Sequence, residues 1–273
     1  MNTQAENRPT VSAVVTSCRR FDLLEKTLKS FLEHNDYPLD ELIVIEDSDD
    51  RGIYGIEPLL EGTRHRIIFN GKNIGQIASI DKAYAEITSD YIFHMEDDWL
   101  FTRKGFIARA IAILEQERQA IMVTVRDDAD MPRYVRSLRT RRVGAASYKL
   151  AFPELHFLWH TFTFNPGLRR MEDYRAISGG YVALGDEASL SRHYKSENRD
   201  MAWLIGGGVK HAGDIRSVYG NGAGYRKAVS SGVLLRLLRR ENLCKWLESL
   251  KRRFWHRLRL MGVDTEPLQR RKR

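Results

Sequence analysis

Three consecutive carboxylates, Glu96-Asp97-Asp98, directly follow an apolar run at residues 91–95. Adjacent like charges repel, and they persist in folded proteins most readily where a cation or hydrogen-bond donors neutralise them. A divalent ion binds carboxylate oxygen and can bridge two phosphates. Acidic residues also suit the first turn of a helix, and a helical pattern follows here. Taken alone, this acidic motif favours a metal site and a helix start equally.

Two further polar segments follow predicted strands. In Glu46-Asp47-Ser48 a carboxylate can accept hydrogen bonds from a nucleobase or ribose, although Asp and Ser are also common in surface turns. Asn73-Ile74-Gly75 offers backbone amides to an anion or a sugar, or else forms an ordinary helix cap. Arg19 and Arg20 can pair with a diphosphate, whereas exposed arginines usually contribute little. None of these segments is specific by itself.

Short apolar runs alternate with helical patterns through the first half of the chain. Strands are expected at 11–16, 42–45, 66–69, 91–95 and 121–125, and helices at 23–32, 74–87 and 104–117. This alternation predicts an α/β fold in which helices cover both faces of a mostly parallel sheet. Ligands bind beyond the carboxyl ends of the strands in such folds, so the polar segments should meet at one edge.

The order and spacing of these segments resemble those of GT-A glycosyltransferases, most closely family 2. The resemblance is carried by Val14-Val15-Thr16-Ser17-Cys18-Arg19, Ile43-Val44-Ile45-Glu46-Asp47-Ser48, Asn73-Ile74-Gly75 with Ser79-Ile80-Asp81, and Phe93-His94-Met95-Glu96-Asp97-Asp98. It spans about the first hundred residues. It implies a Rossmann-like GT-A domain with a nucleotide-sugar donor and a divalent cation, Mn²⁺ or Mg²⁺, as cofactor.

The resemblance also implies roles for individual residues. The implied donor-binding residues are Thr16, Arg19, Asp47, Asn73, Gly75, Glu96 and Asp97. Asp98, in this Glu-Asp-Asp variant of the family's Asp-x-Asp motif, is the expected metal ligand. His211 resembles a late His-x-Gly of the family and is a second candidate ligand, with a structural histidine as the alternative.

An inverting transferase needs a carboxylate that removes the proton of the acceptor hydroxyl. The resemblance implies a base at a helix start in the second half of the chain. Glu187 is our first candidate for this base and Asp186 is the second. The alternative interpretation of this pair is an N-terminal helix cap. Glu172-Asp173 is a rival pair.

The regular alternation fades between residues 127 and 163, where acceptor-binding structure is expected. A helix near Asp186 and a pair of short strands, at 202–204 and 208–211, should follow. We therefore expect one catalytic domain over 10–228, with a nucleotide-sugar-binding half at 10–126 and an acceptor-binding half at 127–228. Trp159 and His160 would suit the wall of an acceptor-binding site, where a sugar can stack on a ring. Aromatic residues at this density more often belong to the hydrophobic core.

Composition favours a globular protein that stays in a reducing cytosol. Of 273 residues, 42% are hydrophobic, which can form one principal core, and no apolar run approaches the roughly 20 residues that span a bilayer. The polar first nine residues lack the apolar stretch of a secretory signal. Cys18 and Cys244 provide neither a disulfide framework nor a zinc pattern.

The net charge of +8 is concentrated at the C-terminus. Residues 230–273 contain thirteen Lys or Arg and four Asp or Glu. The rest of the chain contains thirty-one Lys or Arg and thirty-two Asp or Glu, so it is nearly neutral. Residues 229–273 are expected to form a basic amphipathic helix and tail that bind an anionic membrane surface, or else a helix packed on the catalytic domain. Stacking and zinc motifs typical of nucleic-acid modules are missing, so no nucleic-acid partner is expected.

These features together predict a metal-dependent, inverting glycosyltransferase. The acceptor would be a saccharide or lipid-linked glycan in surface-glycan or lipopolysaccharide biosynthesis, and the protein would be cytoplasmic and peripheral on the inner face of the membrane. One alternative is a nucleotidyltransferase that forms nucleotide-sugars, although its glycine-rich N-terminal signature is absent. Another is a non-catalytic basic protein that binds membranes or nucleic acid.

Overall fold

The computed structural model describes residues 8–153, 155 and 162–212. The predicted C-terminal helix, the boundary near residue 228, Trp159 and His160 lie outside the described residues. Within the described ranges, no helix is both long enough and apolar enough to cross a bilayer.

Strands and helices alternate much as the sequence predicts. The strands are β1 (Val11–Ser17), β2 (Glu41–Glu46), β3 (His65–Phe69), β4 (Tyr91–Glu96), β5 (Trp99–Phe101), β6 (Ala120–Thr124), β7 (Thr140–Val143), β8 (Ala146–Ala151), β9 (Gly167–Arg170), β10 (Asp200–Leu204) and β11 (Val209–His211). The α-helices are α1 (Phe21–His34), α2 (Gln76–Tyr84), α3 (Phe106–Gln116), α4 (Arg133–Arg136), α5 (Met171–Arg175) and α6 (Glu187–Ser196). Short 3₁₀ segments cover Arg51–Leu60, Asp128–Asp130 and Tyr181–Ala183.

Nine of the described strands form one sheet in the order β3-β2-β1-β4-β9-β6-β10-β8-β7. The first four are parallel to one another. β9 is antiparallel to both β4 and β6, so β6 and its parallel neighbour β10 run in the same direction as β4. Of these nine strands only β8 and β9 oppose that direction, because β7 is antiparallel to β8. The prediction of a mostly parallel α/β sheet is confirmed.

Two apolar cores lie on the two faces of this sheet. Along β1, Val11, Ala13 and Val15 face the core formed with α1 and α3, whereas Val14 faces the core formed with α2 and α6. This alternation follows from the two-residue period of a strand. Because both faces are covered, every residue of β1 is buried. The strand ends are therefore held rigidly for the loops that follow them.

A two-stranded ribbon of β5 and β11 extends the molecule beyond the end of β4. The predicted strands near 202–204 and 208–211 both form, but they do not pair with each other, and that part of the prediction was wrong. β10 lies in the main sheet between β6 and β8, while β11 pairs antiparallel with β5. Gly206 and Gly208 have positive φ angles of 69° and 74°, and this turn redirects the chain from one sheet to the other.

Candidate active site

Strands β1, β2, β4 and β6 end at the same side of the sheet, which we call the carboxyl edge. Thr16 near the end of β1 is in register with Ile45 of β2 and Glu96 of β4. The segment containing Asp47 and the acidic motif therefore lie on either side of the β1 loop. The structure thus places the predicted polar segments at one edge, as expected for parallel strands.

The acidic motif occupies the turn between β4 and β5, not the start of a helix. Glu96 ends β4, Trp99 begins β5, and the next helix, α3, begins only at Phe106 after Gly105. The helix-start interpretation of the three carboxylates is therefore excluded. Their negative charges need other partners.

Hydrogen-bond donors and Arg20 stabilise the negative charges of Glu96 and Asp97 only in part. Glu96 accepts hydrogen bonds from Gln76 Nε2 at 3.0 Å and Trp99 Nε1 at 3.3 Å. Burial, followed by the charges of Asp98 and Glu187, nevertheless raises the pKa of Glu96 to about 7. Burial likewise raises the pKa of Asp97 to about 7, outweighing the opposing effect of Arg20. The motif is thus an electronegative site suited to a cation.

Arg20 pairs with both aspartates of the motif. Its Nε donates to Asp97 Oδ2 at 3.1 Å and its Nη1 to Asp98 Oδ2 at 2.9 Å, while Nη2 donates to Asp97 Oδ1. Such a fork-to-carboxylate arrangement fixes orientation as well as charge. Arg20 therefore helps to hold the acidic turn against the β1 loop.

Asp98 and His211 form a second pairing at the same turn. His211 Nε2 lies 3.4 Å from Asp98 Oδ2, and the imidazole packs edge-on against Trp99 with the ring centroids 5.1 Å apart. The backbone amide of Ala212 donates to the Asp98 carbonyl at 2.8 Å. One carboxylate oxygen and one imidazole nitrogen suit Mn²⁺. Within the described residues no three His, Cys, Asp or Glu side chains cluster to hold a metal alone, so a cation here needs ligand or water oxygens as well.

Asp47 organises the loop before α2. Its carboxylate accepts hydrogen bonds from the backbone amides of Ile74 at 2.7 Å and Gly75 at 2.9 Å, and Asn73 Nδ2 donates to the Asp47 carbonyl at 3.1 Å. Gly75 has a φ of 95°, which a side chain would disfavour. The two amides predicted to be offered to a ligand are therefore engaged by Asp47.

The β1 loop adopts a strained conformation at the carboxyl edge. Arg19 has a φ of 57°, in the left-handed region, and its amide donates to Glu46 Oε1 at 2.9 Å. The Arg19 side chain pairs with exposed Asp49, while Thr16 is buried at the end of β1. Residues in this region cost free energy and persist where their surroundings hold them, often at binding sites.

Glu187 is connected to β4 through Phe164, whose ring packs on His94 with the ring centroids 5.5 Å apart. Its carboxylate accepts a hydrogen bond from the Phe164 amide at 2.9 Å, and burial raises its pKa. Its charge contributes to the raised pKa of Glu96, which places the two carboxylates in one electrostatic environment. Asp186 is instead the N-cap of α6 and accepts from Ser189 N at 2.8 Å.

A cavity of about 290 Å³ opens next to Glu187. It is lined by Thr124, Arg126, Phe162, Thr163, Asn165, Glu187, Ala188, Ser191, Met201 and Trp203. The Arg126 guanidinium lies 5.2 Å from the Trp99 ring centroid and 5.8 Å from that of Trp203. Among the described residues, Trp203 Nε1 and Arg126 Nε are buried without a hydrogen-bond partner. Unused donors on an aromatic wall suit a hydroxyl-rich ligand.

The rival base pair lies at the opposite side of the sheet. Arg170 at the end of β9 is in register with Tyr91 at the start of β4, and α5 begins at the next residue. Glu172 is exposed there, and Asp173 pairs with Arg170 and Arg199. Glu172-Asp173 is therefore separated from the acidic motif by the length of β4.

Sequence reasoning missed Arg169 and Gln76. Arg169 is buried on β9, donates to the Thr163 carbonyl, and stacks on Phe162 and Phe164, so it supports the loop that holds Glu187. No local pattern marks these residues, because their partners are distant in sequence. The predicted helix at 74–87 includes Gln76 directly after the donor-binding segment 73–75, but nothing in the pattern marked this residue.

The chain matches the sequence profile of glycosyl transferase family 2 over residues 12–183, more than half of its length. No curated protein sequence matches it. A mannosyltransferase from Pyrobaculum calidifontis, solved with GDP-Man and Mn²⁺, is similar in structure, with a TM-score of 0.58 and 16% identity over 78% of this chain and 59% of that one.

Two further solved structures share the fold. S. aureus TarS 1-349 has a TM-score of 0.53 and 12% identity, over 72% of this chain and 57% of its own. GalNAc-T7, solved with UDP, GalNAc and Mn²⁺, has a TM-score of 0.56 and 12% identity, over 76% of this chain and 44% of its own. The chain thus spans only about half of the length of these structures. The sheet order, the edge at which the carboxylates meet and the profile match together show that this chain belongs to glycosyl transferase family 2 and has the GT-A fold.

Proposed function

We propose that this protein is an inverting glycosyltransferase that moves a sugar from a nucleotide-sugar to a saccharide or lipid-linked acceptor. The observation that carries the proposal is the cavity lined by Glu187, Arg126 and Trp203, whose Arg126 guanidinium also lies 5.2 Å from the ring of Trp99, the residue directly after the acidic motif. The candidate base thus lines a cavity whose wall reaches the segment that follows the acidic motif. Family membership supports it, as do the GDP-Man and Mn²⁺ in one similar structure and the UDP, GalNAc and Mn²⁺ in another.

Asp98 and His211 are the residues proposed to bind a divalent cation, Mn²⁺ or Mg²⁺. When bound, such a cation supplies neutralisation of the negative charge that develops on a leaving diphosphate. Glu96 and Asp97 are proposed to face the donor, and Thr16, Arg19, Asp47, Asn73 and Gly75 to shape its nucleotide site. In this interpretation Asp47 acts mainly by holding residues 73–75 in place.

Glu187 is the proposed general base. Desolvation by the surrounding protein raises its pKa, which makes the carboxylate a stronger base than a fully solvated one, and the Phe164 amide fixes one oxygen. The acceptor sugar would occupy the adjacent cavity with its reacting hydroxyl toward Glu187. Attack on the face of the anomeric carbon opposite the diphosphate would then invert its configuration.

The acceptor is proposed to belong to surface-glycan or lipopolysaccharide synthesis at the inner face of the cytoplasmic membrane. The support for this part is the charge distribution, because thirteen basic and four acidic residues lie in 230–273 while the remainder is near neutral. A basic segment is attracted to anionic lipid and would bring the catalytic edge close to a lipid-linked acceptor.

Donor binding and its metal dependence test the proposal directly. Thermal unfolding would be followed with a panel of UDP- and GDP-sugars, with and without Mn²⁺, in the wild type, Asp98→Asn and the control Glu25→Gln. Glu25 lies on the exposed face of α1 and pairs with Lys29. One donor should raise the Tm of the wild type and the control only when Mn²⁺ is present, because a ligand that binds the folded state stabilises it. The same metal-dependent shift in Asp98→Asn would remove the proposed cation site, and pyrophosphate release would indicate a nucleotidyltransferase.

A further inference from the structure

Arg20 occupies the oxygen that the proposed cation site needs. Asp98 Oδ2 receives Arg20 Nη1 at 2.9 Å and lies 3.4 Å from His211 Nε2. The remaining guanidinium nitrogens, Nε and Nη2, bind the two oxygens of Asp97. The side chains of Arg20, Asp97 and Asp98 are only 19%, 1% and 11% exposed. The positively charged guanidinium therefore occupies the position at the acidic motif where a metal ion would bind.

This arrangement and a metal ion compete for the same position. A divalent cation binds a carboxylate oxygen at about 2.0–2.6 Å, so it would lie no more than about 5.5 Å from a guanidinium nitrogen on that same oxygen. Like charges at that distance in a mostly buried site repel strongly. Movement of the Arg20 side chain away from the motif is also unfavourable unless another cation takes its place, since the charges of Asp97 and Asp98 would then repel each other. A cation on Asp98 Oδ2 therefore requires Arg20 Nη1 to leave that oxygen.

A diphosphate offers Arg20 an equivalent partner. Guanidinium binds phosphate in the same forked geometry as carboxylate. Arg20 lies in the β1 loop directly before α1, at the carboxyl edge where a donor is proposed to bind. The strained Arg19 precedes it, with its amide held by Glu46. A short movement of the side chain can therefore exchange one anionic partner for another.

We propose that Arg20 blocks metal binding at the acidic motif in the free protein. When a nucleotide binds, Arg20 moves onto its diphosphate and releases Asp98 for the metal ion. The inference rests on the proposed function in one respect, namely that the cation site includes Asp98. Its consequence is that Mn²⁺ and nucleotide bind cooperatively. By thermodynamic linkage each ligand must raise the affinity for the other by the same factor.

Calorimetric titration of the full chain with Mn²⁺ alone, with GDP or UDP alone, and with Mn²⁺ at saturating nucleotide measures this factor. Arg20→Gln should bind Mn²⁺ alone about 10-fold more tightly than the wild type, and its coupling factor should fall by a similar amount, within the ~5–150-fold range common for coupled sites. Arg118→Gln is the charge-matched control, because Arg118 is 71% exposed and pairs only weakly with Glu172 at the opposite side of the sheet. It should behave as the wild type does.

A second variant keeps the test valid if Arg20→Gln does not fold. Arg20→Gln with Asp97→Asn removes one charge of each sign and leaves Asp98 intact, and it should also bind Mn²⁺ alone more tightly than the wild type. Unchanged or weaker Mn²⁺ binding in the folded variants would overturn the role of Arg20. Equal Mn²⁺ affinity of Asp98→Asn and the wild type in the presence of nucleotide would instead overturn the cation site of the proposed function.

Discussion

Two neighbouring carboxylates at the start of α6, both on residues with exposed surface, have pKa values shifted in opposite directions. Hydrogen bonds from the side chain and amide of Ser189 lower the pKa of Asp186, which is exposed. Burial raises the pKa of Glu187, despite its hydrogen bond from Phe164. Environments that push the pKa values of adjacent groups apart indicate different roles. At the scale of single residues, Asp186 is a helix cap and Glu187 is the candidate base.

Glu187→Gln should lower kcat for glycosyl transfer by about 10²–10⁴-fold, since that is the usual contribution of a general base. Donor affinity should change little, because the base contacts the acceptor. Asp186→Asn is the matched neighbour and should lower stability by no more than about 1 kcal/mol through its weakened cap, with kcat nearly unchanged. Steady-state kinetics and thermal unfolding of both variants check this. A larger loss of kcat in Asp186→Asn would reverse the assignment.

The acid limb of the activity profile should reflect the raised pKa of Glu187. The base works only when deprotonated, so activity should fall as the pH falls through this pKa. Since burial raises it, the midpoint of the limb in kcat/KM should lie above the ordinary glutamate value of about 4.3. A pH series of initial rates measures the midpoint. A midpoint at or below the ordinary value would argue against Glu187.

His94 provides a stability prediction independent of catalysis. It is fully buried on β4, with Nδ1 3.0 Å from the Tyr84 hydroxyl, and burial together with the charge of Arg169 holds its pKa well below the usual value. Below pH about 6.5 the unfolded chain binds a proton at this position and the folded chain does not. His94 should therefore make stability fall with decreasing pH, by up to ~1.4 kcal/mol per pH unit. Denaturant unfolding of wild type and His94→Gln should show a shallower fall in the variant, and equal slopes would contradict the prediction.

At the scale of elements, a glycine turn decides where β11 and His211 lie. A Cβ on Gly207 would approach the Val125 carbonyl oxygen to 2.1 Å, so this turn packs directly on the backbone after β6. The β11 strand then pairs with β5 and carries His211 to Asp98. Close packing of two backbones thus connects the second half of the chain to the acidic motif.

Gly207→Ala should weaken this connection. The added methyl group must push the turn away from Val125, which should lower the Tm and reduce the affinity for Mn²⁺ with nucleotide by displacing His211. Gly55→Ala is the matched control, because a Cβ there meets nothing within 4 Å. Thermal unfolding and calorimetric titration of the two variants check the prediction. Equal behaviour of the two alanine variants would show that β11 does not depend on this contact.

At the scale of the whole molecule, charge is distributed unevenly along the chain. The excess of basic residues in 230–273 contrasts with a nearly neutral remainder. Basic residues near an anionic membrane surface contribute about 1 kcal/mol each, and salt screens this attraction. The proposed membrane contact therefore predicts a specific dependence on lipid charge and ionic strength.

Replacement of Arg270, Arg271, Lys272 and Arg273 by Gln should weaken binding to vesicles that contain phosphatidylserine by at least about tenfold. Binding of the wild type should decrease with added salt and be weak on neutral phosphatidylcholine vesicles. Cosedimentation with the two vesicle types measures both effects. Equal binding to neutral and anionic vesicles would show that charge does not recruit the protein.

The sequence by itself determined the alternation of strands and helices and the edge at which the carboxylates meet. Periods of two and 3.6 are local properties, and parallel strands necessarily bring their carboxyl ends together. The position of α3, expected at 104–117 and observed at Phe106–Gln116, and the placement of Asp47 and the acidic motif beside β1 follow from this.

Only the tertiary structure decided which partner each polar side chain has. Four contacts join segments that are distant along the chain: Arg20 with the acidic motif, Glu187 with the Phe164 amide, Arg169 with the Phe162 and Phe164 rings, and β11 with β5. From the sequence alone, residues 96–98 were equally consistent with a metal site and with a helix start. In the structure β5 follows them, so they do not begin a helix. Hydrogen bonds, burial and charge interactions act through space, so a pattern read along the chain predicts where an element ends and not what its last side chain contacts.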